Sequence, residues 1–133
     1  PEAGWIDLLC DRKTPLGNPF THETETLRDA ACDAHREWLW AVLNAKPNQS
    51  VSVVPYLMKY PELKGYPYWR CYPAGVIQDR INGIVKGIKE GKKYRLVCWC
   101  DRRDEQTGQV VKLRCHCDTL ARCVEWKLNA NPQ

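Results

Sequence analysis

Long apolar runs are missing from this chain, and their absence excludes a membrane-spanning helix. No internal repeat recurs and no linker-like stretch divides the 133 residues, so one domain is expected. A chain of this length buries roughly two-thirds of its unfolded surface and folds without staples. Phenylalanine occurs once, against six tryptophans and six tyrosines. The core must therefore take bulky side chains whose indole N–H and phenol O–H groups need partners. A large excess of one charge sign is missing as well. Twenty basic and sixteen acidic residues leave a net +4, which suits a soluble protein and does not by itself point to nucleic acid. The two-residue cysteine spacing of common zinc sites is absent too.

Eight cysteines are present nonetheless. A disulfide scaffold is disfavoured, because their frequency is below that of small bridged domains. No signal-peptide pattern is legible from Pro1 onward, so reduced thiols in a cytoplasm are the expectation.

Apolar spacing predicts the elements. Residues 4–10 read as a strand with apolar side chains on both faces. Residues 24–44 read as a helix, with Leu27, Ala31, Ala34, Trp38 and Ala41 at steps of four and three and Thr24 or Thr26 as N-cap. Residues 51–54 are β-prone, and the Tyr- and Pro-rich stretch 55–73 allows only short regular structure. Residues 74–90 read as a helix along Ile77, Ile81, Ile84 and Ile88. Gly91 is its C-cap, and Gly83 and Gly87 are positions for close packing on a sheet. The run 94–100 reads as a central strand covered on both faces, and 110–114 as a returning strand. A last helix spans 118–128. The fold class is α/β: a single small domain with a short central sheet packed by about three helices.

Chemistry concentrates near the end of the chain. Cys98, Cys100, Cys115, His116 and Cys117 offer more than the four ligands of a structural zinc. Cys98 and Cys100 oppose that reading, since strand residues two apart lie about 6.5–7 Å from each other. The strand would have to bend at Trp99. Alternatively, Cys115 or Cys117 is a thiol activated by a helix N-terminus, with Asp118 as an N-cap that opposes the thiolate. In a third reading the cysteines are apolar wall, and recognition falls to the helix N-terminus, His116, Asp118 and the loop around Asn18. Asp118 would take a sugar hydroxyl or act as a base. Glycine and Asn-Pro force a turn at Gly17-Asn18-Pro19-Phe20, which presents the Asn18 amide at a fixed angle or lets Phe20 plug the core. A basic rim, Lys86, Lys89, Lys92, Lys93 and Arg95 followed by Arg102, Arg103, Lys112, Arg114 and Arg122, is either solvated surface or an anion-facing edge.

Gly17-Asn18-Pro19-Phe20, then Trp38-Leu39, then Cys98-Trp99-Cys100, then Cys115-His116-Cys117-Asp118 resembles a bacteriophage and bacterial family labelled a domain of unknown function. Its members are small α/β proteins with Gly-Asn-Pro-Phe near the N-terminus and Cys-Trp-Cys…Cys-His-Gly-Asp near the C-terminus. Cys117 replaces the family's glycine. The gap from Cys100 to Cys115 is longer than usual, and the Tyr/Pro segment looks like an insertion. The resemblance implies a phage or bacterial cytoplasmic protein and raises the weight of one pocket shared by the two motifs.

The leading expectation is a phage-type accessory protein that binds a nucleotide-like anionic ligand, with catalysis left open. Gly17, Asn18, Phe20 and Cys117 would contact the ligand, and His116 and Asp118 would be its acid/base groups. The alternative is an interaction module stabilised by zinc on Cys98, Cys100, Cys115 and His116, binding a host protein or nucleic acid.

Overall fold

The isoleucine stripe forms the helix that its spacing predicts. In the computed structural model, α3 runs Ala74–Lys89, with Ile77, Ile81 and Ile84 buried and Ile88 half-buried. It closes in a Schellman turn: Gly91 N–H donates to Ile88 O at 3.0 Å and Lys92 N–H to Gly87 O at 2.9 Å. Gly91 sits at φ +93°, which only glycine takes without strain. Gly87 is a close-approach glycine, because a Cβ there would collide with the Tyr94 ring. Gly83 is not, since nothing lies near its missing Cβ. The structure describes residues 5–10, 14–21, 25–65, 72–97, 102–103, 110–111 and 115–130.

Helix α1, Arg28–Asn44, buries Ala31, Cys32, Ala34, His35, Trp38, Leu39 and Val42. The cap position of α1 is not held by Thr26, and Thr24 lies outside the described residues. The chain enters through a 3₁₀ turn, Glu25–Leu27, and Leu27 at the cap position makes no side-chain capping bond. At the other end Gln78 of α3 donates to the carbonyls of Val42 (2.8 Å) and Ala45 (2.9 Å), satisfying acceptors the helix leaves over.

The strand expected at 51–54 does not form. Val53 and Val54 open a short helix, α2 (Val54–Lys59), instead. Pro55 fixes a φ suited to the first helical turn, Ser52 Oγ accepts the Val54 N–H, and the Val51 carbonyl is taken by Trp38 Nε1 at 3.0 Å. These local bonds outcompete the β preference of a short valine run.

Strand β1, Trp5–Leu9, pairs in parallel with β4, Lys93–Val97, so α1 to α3 all lie in the crossover between them. This is an α/β domain in which a two-stranded parallel sheet packs against three to four helices. Two further short pairs are antiparallel: β2 (Phe20–Thr21) with β3 (Lys64–Gly65), and β5 (Arg102–Arg103) with β6 (Val110–Val111). The last helix, α4, runs His116–Ala130.

The expectation of a strand covered on both faces fails over its described part, while residues 98–100 lie outside the described residues. In β4 Tyr94 and Leu96 are half-buried, whereas Arg95 is exposed and bonds Asp7 of β1 at 2.8 Å. In β1 the side chains of Trp5, Ile6 and Leu9 are 39–48% exposed, among the described residues. Placing an ion pair on one face leaves only the other to pack on helices. The core gathers between α1, α3 and α4 around Phe20, Trp38, Val42, Ile77, Ile81, Leu120 and Val124.

Candidate functional site

The two motifs converge on one helix. Asn18 Nδ2 donates to Ala31 O of α1 at 3.3 Å, and its Oδ1 accepts the Phe20 N–H at 2.9 Å. One turn further along α1, the buried His35 ring packs edge-on against His116 of α4, with centroids 5.3 Å apart. His116 Nε2 in turn lies 2.7 Å from the Cys10 carbonyl, just beyond β1. The start of α4 is therefore pinned to both the sheet end and α1.

Helix α4 begins two residues earlier than its sequence suggests, which changes every role at its N-terminus. Cys115 holds the cap position, and its Sγ accepts the Cys117 N–H at 3.4 Å. Asp118 sits in the third helical position. Its Oδ2 reaches back 3.4 Å to the Cys115 N–H, as in a capping box. Asp118 is thus not the N-cap, and a sulfur and a carboxylate together meet the positive end of the dipole.

The His116 partners set its tautomer. A carbonyl only accepts, so in the neutral ring Nε2 carries the proton and Nδ1 presents a lone pair. That Nδ1 lies 3.6 Å from Cys115 Sγ. The donor atoms of Cys115, His116 and Cys117 all lie within 4.8 Å of one another. A metal-ligating histidine commonly bonds a backbone carbonyl through its second nitrogen, as His116 does. Sulfurs on a tetrahedral zinc would lie about 4 Å apart, given bonds of about 2.3 Å. The cluster can hold a metal ion. Cys98 and Cys100, expected as ligands, lie outside the described residues.

Beside this cluster a cavity of about 870 Å³ opens between α1 and α4. Cys115, Asp118, Thr119, Arg122, Cys123 and Trp126 form one wall, and Arg36, Glu37, Trp40 and Tyr56 stand on the other side. Glu37 is held by Lys59 Nζ and Tyr60 OH, each at 2.6 Å. Those bonds keep its carboxyl below the usual carboxylate range and raise both partners. Burial pushes the Cys123 thiol up, against a smaller opposing effect of Lys127.

Of the residues singled out by sequence, Asp118 lines this cavity, as does Cys115. His116 and Cys117 stand behind it in the cap. Gly17, Asn18 and Phe20 are not among its walls. Phe20 is fully buried against Tyr56, and both ends of the Asn18 amide bond backbone groups. Sequence reasoning missed Arg36, Glu37 and Trp40. Two exposed indoles, Trp40 and Trp126, off the buried stripes of their helices, were the available signal.

The fold and site define a class: a small α/β domain with a Cys-His-Cys helix cap at the edge of an interhelical cavity. A family model described as "Domain of unknown function (DUF4326)" matches residues 3–126, and the chain belongs to that family. No curated protein and no solved structure matches it. Among the described residues, no helix is long and apolar enough to cross a membrane.

Proposed function

We propose that the chain is a phage-type accessory protein of the host cytoplasm, and that its α1–α4 cavity takes a nucleotide-like anionic ligand, as a binder or a small enzyme. The cavity carries this reading. Its volume of about 870 Å³ falls within the roughly 300–1,000 Å³ usual for small-molecule sites. Arg36 and Arg122 supply positive charge at its walls, and Arg122 makes no ion pair among the described residues. Asp118 offers an acceptor to a sugar hydroxyl. His116 serves the site from behind, through Cys115. Titrating nucleosides and nucleotides against thermal stability tests the proposal. A ligand at a hundred times its dissociation constant adds about 2.7 kcal/mol, and a panel that leaves the melting temperature unmoved rejects it.

A second reading rests on the Cys115–His116–Cys117 donor cluster. Here zinc, the metal best matched to thiolate and imidazole donors, stabilises a module that meets a host protein or nucleic acid through its exposed lysines. Metal analysis of protein purified without chelator decides it: about one equivalent supports zinc, and a small fraction of one excludes it. The nucleic-acid arm requires binding that weakens steeply with salt.

A further inference from the structure

Trp40 and Trp126 are an anomaly of packing. They belong to different helices, are 58% and 54% exposed, and meet edge-to-face with centroids 5.8 Å apart at the wall of the α1–α4 cavity. Folding alone does not call for two large indoles in solvent, since each offers apolar area the core could use. Charge of both signs lies among the apolar walls around them: Arg36 and Arg122 line the same cavity, as do Glu37, held by Lys59 and Tyr60, and Asp118, one helical turn before Arg122. An aromatic pair beside two guanidinium groups and two carboxylates, of which Glu37 is already held by Lys59 and Tyr60, matches a ligand with three parts: a flat π-face, an anion, and hydroxyls between them.

We infer that Trp40 and Trp126 form a stacking platform for a purine or pyrimidine base, with Arg122 and Arg36 on the phosphate of the same molecule. The inference rests on the proposed ligand cavity and narrows it to base-bearing nucleotides rather than sugar phosphates or other small anions. Base selection comes from stacking, so it is broad across bases and strict against ligands that lack one. The T-shaped indole pair opens or shifts to admit the base, which changes indole fluorescence.

The experiment is calorimetric titration with adenosine 5′-monophosphate, cytidine 5′-monophosphate and ribose 5-phosphate. Both nucleotides should bind more tightly than ribose 5-phosphate by roughly five- to hundredfold, the range expected for one stacked base. Trp126→Ala and Trp40→Ala change exposed residues, and circular dichroism checks that each stays folded. Each should erase most of that difference, and Trp126→Phe should restore part of it. Arg122→Ala should weaken all three ligands together. Ribose 5-phosphate binding as tightly as the nucleotides would overturn base stacking and leave the anion cavity standing. Nucleotide affinity unchanged in both folded tryptophan variants would overturn it too. No binding by any of the three rejects the cavity reading along with it.

Discussion

His35 shows what one residue does when burial and chemistry disagree. It is 1% exposed, its Nδ1 has no hydrogen-bond partner among the described residues, and its ring abuts His116. Burial first, and the neighbouring imidazole second, hold its pKa well below the ordinary histidine value. The native protein therefore refuses a proton that the unfolded chain accepts below pH about 6.5. Stability should be flat above that pH and fall as the pH drops beneath it, by at most about 1.4 kcal/mol per unit for one proton. Urea midpoints at pH 7.5, 6.5 and 5.5 measure this. His35→Leu should flatten the slope over that window, whatever it does to absolute stability. An equally steep slope in the variant would assign the effect elsewhere. Asp7 and Glu37, whose pKa values are lowered by Arg95 and by Lys59 with Tyr60, contribute only at more acid pH.

At the scale of elements, periodicity was a good guide where packing agreed with it and a poor one where capping decided. The α3 stripe and its Gly91 stop were legible residue by residue. The glycines were legible only as a pair. Gly87 presses on Tyr94 of β4, whereas Gly83 faces open space. Gly83→Ala should stabilise α3 by about 0.5–1 kcal/mol through helix propensity. Gly87→Ala should destabilise by roughly 1–3 kcal/mol through overpacking. Thermal melts of the two variants should shift in opposite directions. Val51, Val53 and Val54 favour a strand by composition, and nothing in it reveals that Trp38 claims the Val51 carbonyl. The start of α4 differs from its sequence pattern for a similar reason. Aspartate is the better cap by propensity, yet Cys115 takes the position once His116 is tied to Cys10. The Cys115–His116–Cys117 part of the cysteine cluster is thus legible in the sequence, whereas Cys98 and Cys100 lie outside the described residues. The cavity beside it is not legible there, since its walls depend on how α1 and α4 face each other.

At the scale of the molecule, His116 is the joint. It bonds the residue after β1, packs on α1 and opens α4. His116→Ala leaves the Cys10 carbonyl without that bond and opens space beside His35. It should cost roughly 2–4 kcal/mol, read from urea unfolding, well beyond either glycine change. The sheet adds a constraint of another kind. Its partners stand 88 positions apart along the chain, as the Asp7–Arg95 pair shows. Helical segments, whose contacts are local, assemble before a pairing that must wait for the closure of so long a loop. Refolding should therefore pass its slowest step when the two chain regions find each other. Protein emerging from the ribosome would hold β1 without its mate until the 88 positions that separate the paired residues had followed it out.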